Sequence, residues 1–174
     1  MDYRSLYQAV EKSETLPIEP CFCSQNAWLS QGYYFWDTDI ENAHWWGKVH
    51  YQNNYMIGET ACDKNSKYLY DLVGDLDKRK EFFKIKDFLN EKRGKEVLVE
   101  DVILFLRRLP EFIYKAIRVN PYNSKRTSGE VTIRFSANHK AAFMPISEPY
   151  QVCVFDLSFL EKPFEIIYPQ RKTE

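Results

Sequence analysis

The chain of 174 residues carries a net charge of −1, and 44% of its residues are hydrophobic and 16% aromatic. This length is typical of one domain, and the apolar content is enough to bury a core, which excludes an intrinsically disordered chain. No apolar run approaches the roughly 18 residues that a membrane-spanning helix needs. Because the first residues contain neither a basic nor an apolar stretch, we expect no signal peptide, a cytoplasmic location and no membrane partner.

The charge is unevenly distributed along the chain. Residues 1–77 hold 5 Lys and Arg against 12 Asp and Glu, whereas residues 78–174 hold 19 against 13. The basic second half indicates either a solvated surface or a face for an anionic partner.

The four cysteines are Cys21, Cys23, Cys62 and Cys153. The first two form a C-x-C pair, but no second pair or nearby histidine pair completes a zinc-binding set. We therefore predict reduced structural thiols and no bound metal.

The first third of the chain predicts a mixture of short strands and helices. We expect a strand that leads into a helix over 3–10, a strand or turn over 32–36 and a strand over 55–61. A short helix is predicted over 39–47, because Asp37-Thr38-Asp39 supplies side chains that can cap its N-terminus.

The rest of the chain predicts helices and then strands. A charged amphipathic helix is expected over 76–92 with Gly94 near its end, and a second helix over 102–109 that Pro110 stops. The β-rich runs that follow are 112–119, 131–135, 141–144, 152–157 and 164–168. This order predicts a single α+β domain over 1–174 with a mostly antiparallel sheet.

The densest feature is Gly32-Tyr33-Tyr34-Phe35-Trp36, which Asn42-Ala43-His44-Trp45-Trp46-Gly47 follows. Tyr and Trp combine a flat apolar face with a polar tip, which suits a flat polar ring such as a nucleobase or a nicotinamide. The alternative is that these rings form a core strand and pack a helix against a sheet.

The spacing within these two stretches resembles the nicotinamide pocket of the ADP-ribosyltransferase superfamily, in particular its diphtheria-toxin-like and poly(ADP-ribose) polymerase-like branch. Gly32, Tyr34 and Phe35 match the Gly-x-Tyr-Phe strand of that family. Trp45 lies eleven residues after Tyr34, at the position of the family's second aromatic residue. Trp36 and Trp46 are then expected in the core.

Two further stretches extend the resemblance. Tyr3-Arg4-Ser5 is similar to the arginine motif on the family's first strand. The stretch from Gln151 to Asp156 is similar to the strand that a catalytic glutamate leads. Gln151 stands at the position of that glutamate, and the nearest carboxylate, Glu148, lies three residues earlier.

The resemblance implies an ADP-ribosyltransferase-like split sheet flanked by helices, with 64–110 as a helical insertion, and NAD as co-substrate. Gly32, Tyr34 and Trp45 would form the nicotinamide pocket. Arg4 would bind a ribose hydroxyl or the pyrophosphate, and the backbone at Ser5 would bind the carboxamide. Arg4, Tyr34 and Gln151 would be the catalytic residues, and the Gln151 amide would hydrogen-bond the ribose 2′-hydroxyl.

The acceptor of ADP-ribose is expected to be an intracellular macromolecule, either a single-stranded nucleic acid or a protein. A domain of this kind resembles toxins of toxin–antitoxin or phage-defence systems, which implies a neutralising antitoxin as partner. A nucleic acid would suit a basic segment interleaved with aromatic residues, namely Lys115, Arg118, Lys125, Arg126, Arg134, His139 and Lys140 with Tyr114, Tyr122 and Phe135. The alternatives are a module that binds NAD, ADP-ribose or nucleic acid without catalysis, and a structural interaction domain.

Overall fold

A computed structural model of the chain describes residues 2–25, 27–121, 132–136, 143–145 and 147–169. These residues form an α+β fold with a mostly antiparallel sheet. Its helices are α1 (Ile40–His50), α2 (Leu76–Arg93) and α3 (Val99–Leu106). Its strands are β1 (Tyr3–Glu11), β2 (Phe22–Cys23), β3 (Gly32–Asp37), β4 (Tyr55–Asp63), β5 (Leu69–Asp71), β6 (Ala116–Val119), β7 (Thr132–Arg134), β8 (Phe143–Pro145), β9 (Gln151–Val154) and β10 (Glu165–Tyr168).

The start of α1 and the end of α2 follow from local residues, as predicted. The carboxylate of Asp39 accepts a hydrogen bond from the Glu41 N–H (3.0 Å) at the start of α1. Asp75 caps α2 in the same way. Gly94 ends α2 with a φ of 60°, a left-handed conformation that glycine adopts without steric cost.

Several predicted elements differ from the structure. Helix α1 continues to His50, beyond the predicted end at 47. The helix expected at the end of 3–10 is wrong, because β1 pairs with β4 at nine residue positions along its whole length. Helix α3 begins at Val99, before the predicted start at 102, since the Asp101 carboxylate accepts a hydrogen bond from the Leu98 N–H (3.0 Å) and stabilises an earlier turn. It also ends at Leu106, before the end predicted at 109 and the stop predicted at Pro110. The segment 64–110 is not purely helical, because it contains β5, which pairs with β6.

The main sheet has eight strands, and its order is β10-β4-β1-β3-β9-β6-β5, with β2 paired to β3. Within it only β5 and β6 run parallel, among the described residues. Strands β7 and β8 form a separate two-stranded sheet. The predicted split sheet is therefore one hydrogen-bonded sheet, but β1 and β3 pair at only two positions, Leu6 with Asp37 and Tyr7 with Trp36.

The two faces of the central strands have different surroundings. Side chains alternate along β3, so Tyr34 and Trp36 project to one face and Phe35 to the other. Tyr34 packs against the cluster that α2 and α3 cover, and Trp36 packs with Ala43 of α1. Phe35 belongs to a second core on the opposite face. None of the helices in the described ranges is long and apolar enough to cross a membrane.

Candidate functional site

The partner of β3 changes along its length. Strand β1 pairs with the end of β3, whereas β2 pairs with its beginning. The amide of Gln8 bridges the junction: its Nε2 donates to the carbonyl oxygens of Cys21 (2.9 Å) and Tyr34 (3.1 Å), and its Oε1 accepts from the Cys21 N–H (2.6 Å). A buried side chain thus takes the place of strand pairing where β1 and β3 separate.

A cavity of about 240 Å³ lies at this junction. Its walls are mostly aromatic, and two glutamine amides add polar groups. The aromatic lining residues are Phe22, Trp28, Tyr34, Phe35, Trp36, Trp46 and Tyr51, and the amides belong to Gln8 and Gln151. Binding sites for small organic ligands are typically concave and apolar with a few placed polar groups, which is the composition of this cavity.

Tyr34 is a fixed wall of the cavity. Its hydroxyl accepts a hydrogen bond from the Leu29 N–H (2.8 Å) and donates one to the Ser30 carbonyl oxygen (2.7 Å). The indole of Trp28 lies against the Tyr34 ring, with centroids 6.4 Å apart. Burial raises the pKa of Tyr34 far above its ordinary value, so the phenol is neutral and its ring position is held by backbone groups.

The Oε1 atom of Gln151 is buried and has no hydrogen-bond partner. It is the one buried side-chain polar atom of this kind in the described part of the chain. Gln151 is 6% exposed, begins β9 opposite Trp36 and lines the cavity. An unpaired buried acceptor costs about 1–3 kcal/mol. A ligand that donates a hydrogen bond to this oxygen would recover that free energy.

The second aromatic wall near α1 is Trp46. Among the described residues, Trp46 lines the cavity and Trp45 does not. Trp46 stacks on His50, with ring centroids 3.6 Å apart, whereas Trp45 packs edge-on against Trp36 at 6.2 Å. Trp45 was expected at the pocket and is not a lining residue there. Trp36 is a core residue as expected, 6% exposed, and also lines the cavity, whereas Trp46 is only partly buried and lines it. Side chains of adjacent helix residues project about 100° apart, so Trp45 and Trp46 face different surroundings.

Arg4 is not among the described residues that line the cavity. Its Nη1 donates to Asp37 Oδ2 (2.9 Å), and the same oxygen accepts from Arg118 Nε (2.6 Å). Arg118 also pairs with Asp71 at 3.3 Å. Register and alternation place these side chains on the face opposite Tyr34, because Asp37 follows Trp36 in β3. Arg4 is therefore part of a buried ion-pair cluster, in contrast to its predicted role at the pocket.

The remaining predicted residues also lie outside the lining among the described residues. Ser5 pairs with Ala61 of β4. A Cβ atom on Gly32 would lie 2.7 Å from Cys153 Sγ, so this glycine allows β3 to pack closely on β9. The Glu148 carboxylate accepts from Asn120 Nδ2 (3.1 Å) and is not a lining group.

The predicted basic segment is only partly described. Lys125, Arg126, His139, Lys140 and Tyr122 lie outside the described residues. Of the others, Arg118 belongs to the ion-pair cluster and Lys115 Nζ donates to Ser158 Oγ (2.7 Å).

Sequence reasoning missed Gln8 and Trp46. Gln8 is a polar residue inside the run Leu6 to Val10, where an amide must find partners when it is buried, and that pattern could have indicated it. Trp46 had no distinguishing sequence pattern, since it is adjacent to a second tryptophan.

Within the described ranges, no group of three or more His, Cys, Asp or Glu side chains is arranged to hold a metal ion. Comparisons with protein-family models, with curated proteins and with solved structures found no match to this chain.

Proposed function

We propose that this protein is an NAD-dependent ADP-ribosyltransferase that modifies an intracellular macromolecule, on an ADP-ribosyltransferase-like fold. The observation that carries the proposal is the meeting of Tyr34 and Gln151 in one aromatic cavity, more than a hundred residues apart in the chain, with Gln151 Oε1 unpartnered among the described residues. These two residues belong to separate stretches of the family resemblance. Their convergence supports the resemblance independently of the sequence match.

The size of the cavity also supports a nicotinamide-sized ligand group. At about 240 Å³ the cavity is smaller than the roughly 300–1,000 Å³ of sites that enclose a whole drug-sized ligand. It therefore suits one flat ring, with the rest of a dinucleotide extending outward. Tyr34 and Trp46 would hold that ring in place, and base–aromatic stacking is worth about 1–3 kcal/mol.

Gln151 has a defined role in the proposed reaction. The bond between nicotinamide and ribose breaks, and positive charge develops on the ribose as the nicotinamide leaves. An acceptor at the ribose 2′-hydroxyl orients the sugar and stabilises this charge. The Gln151 oxygen is neutral, and a hydrogen bond to it has about half the strength of one to a carboxylate.

The ribose carbon then bonds to a nucleophile of the acceptor, which is a single-stranded nucleic acid or a protein. We further propose that the protein is a toxin, and a neutralising antitoxin protein is then its expected partner.

The test uses the purified chain with NAD labelled in its adenylate phosphate, supplied with single-stranded RNA, single-stranded DNA or cell protein. We expect release of nicotinamide and transfer of label to one acceptor, and loss of both in Tyr34→Ala. Tyr68→Ala is the matched control, because Tyr68 is also half-buried but packs in the core of the opposite face. A chain that neither binds nor consumes NAD, or a Tyr68→Ala variant as inactive as Tyr34→Ala, would contradict the proposal.

A second candidate function is NAD or ADP-ribose binding without transfer. Two observations favour it: Gln151 carries no charge, and Arg4 is held by Asp37 (2.9 Å) outside the cavity lining of the described residues. Gln151→Glu separates the two functions. For a degenerate enzyme, the wild type binds NAD without releasing nicotinamide and the variant gains release, whereas for an enzyme that works with glutamine the variant loses activity.

A further inference from the structure

Two free thiols lie at the wall of the aromatic cavity. Cys21 and Cys23 are both lining residues, Cys21 exposed and Cys23 half-buried. Cys23 belongs to β2 and Cys21 immediately precedes it. Side chains two positions apart in an extended segment project to the same side. Cys21 and Cys23 therefore contribute to the same wall of the cavity from neighbouring positions.

The backbone between these thiols is close to the spacing that a disulfide needs. Two steps along a strand span roughly 6.6 Å. A disulfide joins Cα atoms about 4.4–6.8 Å apart. A disulfide also needs Cβ atoms about 3.5–4.5 Å apart, whereas side chains that project in parallel from an extended segment keep the roughly 6.6 Å spacing. Bond formation between Cys21 and Cys23 therefore requires residues 21–23 to bend until the two Cβ atoms approach by about 2 Å, without movement of a distant segment.

That bend would act on the contacts that shape the cavity. Both backbone groups of Cys21 are held by the Gln8 amide, at 2.6 Å and 2.9 Å. The same amide donates to the Tyr34 carbonyl oxygen (3.1 Å). The position of β2 is thus coupled through Gln8 to the strand that carries Tyr34.

The other cysteines have a different environment. Cys62 and Cys153 are completely buried, and burial raises the pKa of each thiol to about 12. Thiolate character and exposure control reaction with peroxides. Burial, with Cys21 nearby, also raises the pKa of Cys23. The exposed Cys21 is therefore the thiol that an oxidant in solution meets first.

We propose that Cys21 and Cys23 are a redox modification site that closes the cavity when a peroxide oxidises it to an internal disulfide. The Cys21 thiolate attacks one peroxide oxygen and forms a sulfenic acid with release of water. The Cys23 sulfur then displaces the sulfenic hydroxyl as a second water and forms the S–S bond. Two thiols are oxidised, and one hydrogen peroxide is reduced to two waters.

The consequence for NAD rests on the proposed function, but the disulfide does not. Bending β2 moves the lining residues Cys21, Phe22 and Cys23, so the oxidised cavity no longer fits a flat ring. We expect NAD to bind about tenfold more weakly to the oxidised protein, equivalent to roughly 1.4 kcal/mol.

The experiment treats the full chain with hydrogen peroxide, blocks the remaining thiols with N-ethylmaleimide and maps the disulfide by peptide mass spectrometry. Tryptophan emission is recorded before and after oxidation, because Trp28, Trp36 and Trp46 line the cavity. NAD affinity is measured by calorimetry on the same samples, and dithiothreitol should restore both readings. Cys21→Ser is the matched control, and its emission and affinity should not respond to peroxide.

The outcomes separate the two proposals. A Cys21–Cys23 disulfide with a reversible change in emission and affinity supports the site. No internal disulfide, a bond between two chains, an unchanged emission spectrum, or an equal response in Cys21→Ser overturns it. If the reduced chain binds no NAD, the proposed function fails, while the mass and emission measurements still decide the redox site.

Discussion

The two faces of β3 carry opposite kinds of polar chemistry. On one face Asp37 is 3% exposed, and its carboxylate accepts from Arg4, Arg118 and the Thr38 hydroxyl. On the other face the buried Gln151 oxygen has no partner among the described residues. A polar group that the chain itself satisfies stabilises the fold, whereas one that the chain leaves unsatisfied is available to a ligand. This contrast makes the cavity, and not the ion-pair cluster, the candidate functional face.

The contrast also explains why Arg4 pairs with Asp37 and is not among the described lining residues of the cavity. Arginine suits oxyanions, and an aspartate of the same chain meets that preference as well as a ribose or a phosphate does. Whether Arg4 binds an aspartate of the same chain or a ligand depends on which acceptor lies within reach. Asp37 lies within reach of Arg4, because Asp37 of β3 pairs with Leu6 of β1, and Leu6 is two residues from Arg4 along that strand.

The largest expected effect is on the ion-pair face. Asp37→Asn removes the carboxylate charge that Arg4 and Arg118 share and leaves Arg118 only its longer pair with Asp71 (3.3 Å), so we expect a loss of about 3–5 kcal/mol in the free energy of unfolding. Urea denaturation measures it. The control is Asp2→Asn, which removes an exposed pair with Lys64 (3.0 Å) and should cost at most about 1 kcal/mol. Equal losses in the two variants would contradict the assignment of Asp37 as a buried hub.

The next largest effect is on NAD affinity, and it distinguishes a residue of the cavity wall from its neighbour outside the wall. Trp46→Ala removes a lining ring, and we expect NAD binding to weaken by about 1–3 kcal/mol, or roughly 5- to 150-fold. Trp45→Ala should change NAD affinity much less, since Trp45 packs against Trp36 outside the lining of the described cavity. Calorimetry on the folded variants decides. The reverse order of effects would restore Trp45 as the pocket residue.

The smallest effect concerns how Tyr34 is held. Tyr34→Phe removes the hydroxyl that joins the Leu29 N–H and the Ser30 carbonyl, and should cost about 1 kcal/mol near pH 7. Burial raises the pKa of Tyr34 in the folded chain, so its stabilising contribution is complete below about pH 10 and declines as the pH rises further. The difference between wild type and variant should therefore narrow above pH 10 in urea titrations. A constant difference would mean that the phenol is not buried.

Much of the fold was predictable from short stretches of sequence. Asp39 and Gly94 define the start of α1 and the end of α2 through contacts within their own turns, and the structure confirms both. The 3–10 stretch was less clear, because an apolar run of this length fits a helix or a strand. Pairing with β4, some fifty residues away, made it a strand.

The candidate site was predictable in part. The motif spacing led to Tyr34 and Gln151, which share the cavity, but also to Trp45 and Arg4, which are absent from its described lining. Gln8 was missed because its role depends on Cys21, whose backbone it holds at 2.6 Å and 2.9 Å.

The amino-acid sequence by itself determined the α+β composition, the start of α1 and the end of α2, and its resemblance to a known family pointed to two residues, Tyr34 and Gln151, that line one cavity. These features depend on side-chain type and on interactions over a few positions. Only the tertiary structure decided that Trp46 and not Trp45 is among the described lining residues, which partner Arg4 takes and that, in the described part of the chain, Gln151 Oε1 has no hydrogen-bond partner. Those outcomes depend on which distant groups come within hydrogen-bonding distance. A residue whose type suits ligand binding has a structural role when its partner is another side chain of the same chain.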